Sequence, residues 1–132
     1  MNEARRSGTV QIIDDDLLYR RLYYRSIRDD GSISPAAYTL PRTTKPDPEI
    51  SVDLARLTTP ARTLAAAEKP QLFGLGVLKA SDVRNLGFIV RHQPTQKNYA
   101  HCIIEGAKTE TDCDRLAEIT QVHTPPPRKS GR

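Results

Sequence analysis

The chain has no tryptophan, one methionine and only two cysteines, and its aromatic residues make up 5% of 132 residues. Two cysteines, Cys102 and Cys113, are too few for the disulfide framework of a small secreted domain. No apolar run approaches the ~20 residues of a membrane-spanning helix, and no apolar stretch follows Arg5 and Arg6 as it would in a signal peptide. We therefore expect a cytoplasmic protein with reduced thiols and no membrane contact.

Motifs for catalysis or cofactor binding are also scarce. The Gly74-x-Gly76 pair lacks the fuller glycine pattern and the helix start of a phosphate-binding loop, so close packing or a bulge explains it better. The residues that could hold a metal do not have the paired spacing of zinc ligands; they are His92, His101, Cys102, Cys113 and His123. We predict no metal ion and no cofactor, and the sequence leans away from an enzyme.

Charge does not identify a partner. The chain carries 20 basic and 16 acidic side chains, a formal net charge of +4, and the basic residues are spread along it. A surface that binds phosphates usually has its lysines and arginines clustered, whereas a modest net charge is also what solubility requires.

The length suits one domain of about 100–150 residues. Residues 1–11 are polar without an apolar period, and we expect them to form a disordered lead. Residues 124–132 contain three consecutive prolines followed by basic residues, which predicts a disordered, Pro-rich basic tail. The single folded domain is therefore expected over residues 12–123.

The N-terminal part of this domain has conflicting signals. The aspartates before Leu17 suit the start of a helix from about Asp16, whereas the tyrosines that follow favour a strand. Three prolines predict a loop over residues 41–49.

From Ile50 onward the pattern is clearer. Alternating apolar residues predict a strand from Ile50 to Leu54, and Thr59 followed by Pro60 predicts the start of a helix. The other predicted elements are a strand or loop over 72–78, a helical turn from Ser81 to Leu86 ended by Gly87, strands over 88–90 and 99–104 joined as a hairpin, and a helix over 112–122 with a capping box of Thr111 and Asp114. This mixture predicts an α+β fold with a mixed or antiparallel sheet and two to four short helices.

A block rich in tyrosine and arginine is the main candidate for a binding surface. Its proposed partner-binding members are Tyr19, Arg20, Arg21, Tyr24, Arg25 and Arg28. Tyrosine and arginine dominate the energetics of protein interfaces, and they also suit single-stranded nucleic acid. Alternatively, the tyrosines pack inward and the arginines pair with the aspartates at 14–16, 29 and 30. Because those aspartates offset the local positive field, a protein partner is favoured over nucleic acid.

A second hypothesis concerns His101 and Asp53. A histidine with a carboxylate to orient it can act as a general base, and each of the two residues lies on a predicted strand. In this alternative the protein binds or processes nucleic acid, with His101 and Asp53 as catalytic groups. The simpler interpretation is that His101 is a polar residue on the solvent side of a sheet.

Four segments resemble a group of short uncharacterised bacterial proteins: residues 15–21 (DDLLYRR), 30–38 (DGSISPAAY), 50–60 (ISVDLARLTTP) and 100–106 (AHCIIEG). The resemblance implies a bacterial or phage source and one compact domain. It carries no established activity, and it points to Asp53 and His101 as the polar residues most worth testing.

Overall fold

The computed structural model of the protein describes residues 8–127. Its helices and strands are β1 (Leu17–Tyr23), β2 (Glu49–Leu54), α1 (Pro60–Ala65), β3 (Phe73–Lys79), α2 (Ala80–Asn85), β4 (Ile89–His92), β5 (His101–Glu105), α3 (Glu110–Glu118) and β6 (Gln121–Thr124). The six strands form one sheet in the order β4-β5-β2-β1-β3-β6, and every neighbouring pair is antiparallel. The predicted α+β class is confirmed.

The two faces of the sheet have different coverings. The core face carries the alternate apolar residues of the strands, among them Leu18, Val52 and Cys102, and α2 and α3 contribute Val83 and Leu116 to the same cluster. The opposite face, which we call the outer face, is covered by α1 where that helix contacts β1 and β3. The rest of the outer face remains open to polar side chains.

The predicted helix from Asp16 is wrong, because this segment is β1. Leu18 and Leu22 are fully buried whereas Leu17 and Tyr23 are exposed, and such alternation belongs to a strand with one buried face. The Asp16 carboxylate caps no helix. It accepts hydrogen bonds from the Ile13 backbone N–H at 2.8 Å and from Arg56 Nε at 2.9 Å.

Two predicted helix starts are also displaced. Ser81 does not cap α2, whose first N–H groups, those of Ala80 and Ser81, donate to backbone carbonyls at the entry to β1. The capping box of α3 consists of Thr109 and Asp112, two residues before the predicted pair. Because α3 ends at Glu118, the chain has room for β6, which the sequence assigned to the helix.

Other predictions hold. Residues 50–54 lie in β2, β4 and β5 form an antiparallel pair, and Thr59 Oγ1 caps α1 by accepting from the Arg62 N–H at 3.1 Å. Gly74 and Gly76 allow close packing: a Cβ at Gly74 would lie 2.6 Å from the Thr124 carbonyl oxygen. Helices able to cross a membrane are absent from residues 8–127.

Parts of the expected lead and tail fall within the described chain. The Val10 N–H donates to His92 Nδ1 at 2.9 Å, Tyr99 Oη donates to the Gly8 carbonyl at 3.0 Å, and Thr124 pairs with Leu75 in the sheet. The disorder expected for residues 1–7 and 128–132 lies outside the described residues, and the domain boundaries at 11/12 and 123/124 stay predictions.

Candidate functional site

The Tyr/Arg block does not form one continuous surface. Its first part lies in β1, a central strand between β2 and β3, and successive side chains of a strand point to opposite faces. Tyr19 and Arg21 are half-buried on the outer face, whereas Arg20 is directed to the other side. Tyr24 and Arg25 follow in a short 3₁₀ turn, and Arg28 lies in the loop after it.

Arg20 has an internal role where two strands separate. The backbone pairing of β1 with β2 ends at Tyr19 and Asp53. The next β2 carbonyl that faces β1 therefore has no backbone partner in that strand. Arg20 Nη1 donates to that carbonyl, the one of Ser51, at 2.9 Å, and Nη2 donates to the Ala37 carbonyl at 2.7 Å. The guanidinium also lies 5.4 Å from the ring centre of Tyr38.

The environment of Arg20 is nearly closed. Desolvation lowers the pKa of its guanidinium, and the nearby Tyr38 and Asp47 oppose that change. Its Nε atom is buried and has no hydrogen-bond partner within residues 8–127. Arg20 therefore acts first as an internal cross-link of the fold.

Arg21 is also engaged, although less completely. Its Nη1 donates to the Thr63 carbonyl at 3.1 Å and so ties β1 to α1. A guanidinium carries five N–H donors, and this is the hydrogen bond that the structure gives Arg21 in the described part of the chain. Arg21 can therefore hold α1 and still offer donors to a ligand on the outer face.

The end of β1 carries an exposed aromatic cluster. The rings of Tyr23 and Tyr24 lie 4.8 Å apart, and those of Tyr23 and Phe73 lie 5.7 Å apart. Exposed Arg25 stacks its guanidinium 5.2 Å from the ring centre of Tyr24. We call these four residues, Tyr23, Tyr24, Arg25 and Phe73, the β1-end surface.

A groove of about 530 Å³ adjoins the β1-end surface. Its lining residues are Arg20, Arg21, Tyr23, Ala66, Ala67, Glu68, Lys69, Leu72 and Phe73. Of its charged side chains, Arg21 and Lys69 are basic and Glu68 is acidic, while the Arg20 guanidinium is held by the Ser51 and Ala37 carbonyls; we call it the cationic groove.

The alternative pairing of the block's arginines with aspartates is met only in part over residues 8–127: hydrogen bonds from Ser32, and further the charge of Arg28, lower the pKa of Asp30, whereas the aspartates at 14–16 have other partners. Asp14, Asp15 and Asp16 form ion pairs with Arg84, Lys79 and Arg56, respectively. Arg28 donates instead to Ser32 Oγ at 3.4 Å and to the Ile33 carbonyl at 3.3 Å.

Asp53 and His101 are brought together, as directly opposed residues of β2 and β5. They do not share a hydrogen bond within the described chain. Asp53 is buried, with Oδ2 accepting from Thr63 Oγ1 at 2.8 Å and Oδ1 accepting from Asn98 Nδ2 at 2.9 Å. Its carboxylate thus anchors α1 and the loop before β5.

His101 has different partners. Its Nδ1 lies 2.8 Å from the Gln93 carbonyl oxygen, and its Nε2 lies 3.2 Å from Ser51 Oγ. The Gln93 carbonyl therefore orients the ring, which is the role that the sequence hypothesis gave to Asp53. Ser51 was not among the sequence candidates. The available signal was its position two residues before Asp53, which places both side chains on one face of a strand.

These residues line a cavity of about 240 Å³ on the outer face. Its lining residues are Tyr19, Arg20, Arg21, Ser51, Val52, Asp53, Thr63, Asn98 and His101. A larger cavity of about 610 Å³ shares Asp53 and Asn98 with it. We call the smaller one the β2–β5 cavity.

The two cysteines lie apart from this cavity. Both are buried free thiols, as the sequence predicts. Burial raises the pKa of Cys102 to about 12 and also raises the pKa of Cys113, which disfavours the reactive thiolate form of both. Over residues 8–127, His, Cys, Asp and Glu side chains form no group of three that could hold a metal ion.

Comparison of the chain with protein-family models, curated proteins and solved structures gives no match.

Proposed function

We propose that this protein binds a protein partner through the β1-end surface, and that the partner contributes an acidic segment. The observation that carries the proposal is the cluster of exposed Tyr23 with half-buried Tyr24 and Phe73, with exposed Arg25 stacked on Tyr24. Rigid aromatic side chains and arginine supply most of the energy at protein interfaces. Tyr23 is 39% exposed despite its apolar ring, so a partner can reach it directly.

Charge complementarity favours an acidic partner. The cationic groove beside the aromatic cluster presents Arg21 and Lys69 against Glu68. An acidic side chain next to an aromatic or aliphatic one would place its carboxylate near Arg21 and Lys69, and its apolar neighbour against Phe73. Charged groups at such an edge govern association rate and selectivity more than affinity.

One member of the Tyr/Arg block, Arg20, is not proposed to contact the partner directly. Arg20 is occupied by the Ser51 and Ala37 carbonyls, so its substitution should affect folding before binding. The exposed Arg25, by contrast, stacks only at the surface. Binding experiments should therefore use Tyr23 and Arg25.

The test measures fluorescence anisotropy with a labelled acidic peptide that contains tyrosine, a basic peptide of the same length and a single-stranded oligonucleotide. We expect the acidic peptide to bind, and Arg25→Glu and Tyr23→Ser each to weaken it at least ~10-fold, as for interface hot spots. Lys45→Glu is the matched charge-reversal control, because Lys45 is exposed and belongs neither to the β1-end surface nor to the lining of the cationic groove. It should change affinity less than ~2-fold.

The oligonucleotide distinguishes a surface that binds nucleic acid from one that binds an acidic protein segment. Affinity for it that falls steeply with salt and is lost in Arg25→Glu would assign the surface to nucleic acid, since phosphate contacts release counterions. If the acidic peptide and the oligonucleotide both fail to bind, the proposed acidic partner is rejected. It is also rejected if Lys45→Glu weakens peptide binding as much as Arg25→Glu.

A further inference from the structure

The β2–β5 cavity contains a serine and a histidine in the arrangement of a nucleophile and its base. Ser51 is paired with Ile103, and Asp53 with His101, so Ser51 and His101 are diagonal neighbours on one face of two antiparallel strands. Side chains at such positions are within reach of each other. The histidine ring leans toward the serine, and Nε2 lies 3.2 Å from Oγ.

The hydrogen-bond partners determine where the imidazole proton lies. The Gln93 carbonyl oxygen is only an acceptor, so Nδ1, 2.8 Å away, must carry the proton and donate it. Nε2 of the neutral ring then has a free lone pair that accepts the Ser51 hydroxyl proton. A nucleophile bonded to a base that a third group orients is the recurrent signature of covalent catalysis.

We propose that Ser51 is a nucleophile activated by His101, and that the β2–β5 cavity hydrolyses small esters that carry an anionic group. Ser51 is exposed, so a substrate can reach its Oγ from solvent. The Gln93 carbonyl is the positioning group for His101. This activity does not use the β1-end surface, although Arg21 lines both the β2–β5 cavity and the cationic groove.

The cavity also indicates the substrate class. At about 240 Å³ it is smaller than typical drug-sized sites, which begin near 300 Å³, and this favours a small molecule. Arg21 lines it and keeps donors beyond its bond to Thr63. Within residues 8–127 the Asp53 carboxylate is held by Thr63 and Asn98 and makes no ion pair with Arg21, so the Arg21 guanidinium can pair with an anion.

The reaction balances without any further reactant than water. Ser51 Oγ bonds to the ester carbonyl carbon while its proton passes to His101 Nε2, and the carbonyl π electrons move to oxygen. The C–O bond to the alcohol then breaks as the alcohol takes the proton from His101. Water attacks the acyl-serine with His101 as base, releasing the carboxylic acid and restoring the Ser51 hydroxyl.

Phenylmethylsulfonyl fluoride is the first probe, because it forms an O–S bond with an activated serine and expels fluoride. Intact mass followed by peptide mapping of the native chain should show one adduct, at Ser51. We expect labelling at least ~100-fold faster than at the serines of the guanidinium-denatured chain, the lower bound of general-base assistance. An unlabelled native chain, or an adduct at another serine, overturns the proposal without any variant.

Variants then test the base. His101→Ala should slow labelling of Ser51 by about 10²–10⁴-fold, and added imidazole should restore part of the rate, which a purely structural histidine would not permit. Ser81→Ala is the matched control, because Ser81 lies in α2 and does not line the cavity. Its labelling should equal that of the native chain. Unchanged labelling in His101→Ala overturns the dyad.

The substrate class is tested with p-nitrophenyl acetate and its anionic analogue, the p-nitrophenyl monoester of succinic acid. We expect the native chain to prefer the anionic ester, and Arg21→Gln to reduce that preference about 10-fold, while Lys45→Gln leaves it unchanged. Loss of both esterase activities in Ser51→Ala supports the same site. Equal rates for the two esters would refute the anionic class, and full activity in Ser51→Ala would refute the nucleophile.

Discussion

Replacement of Arg20 by methionine tests whether this arginine holds the sheet together. Methionine has nearly the length of the arginine stem but no donors, so the Ser51 and Ala37 carbonyls would lose their partners. Ser51 lies at the point where the β1–β2 ladder stops after Tyr19. The substitution should therefore loosen the junction of the two central strands.

The magnitude follows from the contacts. Hydrogen bonds to a charged group are worth about 1.5–3 kcal/mol each, and the stacking on Tyr38 about 0.5–2 kcal/mol. Relief of the desolvation of Arg20 offsets part of this loss. A net destabilisation of about 3 kcal/mol remains, which should lower the Tm of a chain of this size by about 10 °C.

Thermal unfolding followed by circular dichroism checks this value. Arg25→Met is the matched control, because Arg25 is exposed and stacks only on Tyr24. A surface change of this kind should alter stability by about 0.5 kcal/mol or less. If Arg20→Met unfolds within ~2 °C of the native chain, the internal role of Arg20 is refuted and this arginine returns to the candidates for partner contact.

Three further substitutions or measurements test other parts of the structure. Asp53→Asn should lower the unfolding free energy by about 2–3 kcal/mol in chemical denaturation, because an amide cannot accept both hydrogen bonds of the carboxylate; an unchanged midpoint would contradict its anchoring role. Gly74→Ala should cost roughly 1–3 kcal/mol, since a β6 carbonyl lies 2.6 Å from the new Cβ. Gly8→Ala should be nearly neutral, since no atom of residues 8–127 other than its chain neighbours lies within 4 Å of the new Cβ. Burial raises the pKa of Cys102 from 9.0 to about 12 and also raises the pKa of Cys113. At pH 8 a thiol reagent should therefore label Cys102 about 10³-fold more slowly than in the denatured chain, and it should label Cys113 slowly as well. Because folding raises the pKa of both thiols, their contribution to the stability of the native state is present below pH 9 and is lost as the pH rises toward 12, so Tm should fall across that range. Rapid labelling at pH 8 would show that the thiols are not buried.

Local sequence signals predicted the elements that depend on local chemistry. The alternation from Ile50 to Leu54 and the Thr59-Pro60 cap need no distant residue, and both predictions are confirmed. The prediction for β1 was ambiguous because the aspartates that precede it are also typical of the start of a helix. They are instead partners of Lys79, Arg84 and Arg56, cations that arrive from other parts of the chain.

The candidate site was predictable only in part, for a related reason. Alternation indicates which side chains share a face of one strand, but not which strand becomes its neighbour. The pairing of Asp53 with His101 depends on a long connection, and the contact of Ser51 with His101 follows from that pairing alone. The role of Gln93 could not be predicted either, because every residue has a backbone carbonyl and the residue type does not show which one contacts His101.

The same antiparallel pairing places the two proposed sites at different parts of the sheet, with Arg21 beside both. At its centre, the separation of β1 from β2 opens the β2–β5 cavity, and Arg20 fills the core side of that gap by bonding Ser51 and Ala37. Because Arg20 holds the Ser51 carbonyl, it also fixes the strand that carries the proposed nucleophile. At the end of β1 the chain leaves the sheet, and Tyr23 and Arg25 are exposed there. Substitution of Arg25 should therefore leave Ser51 labelling intact, whereas Arg20→Met should impair both folding and labelling.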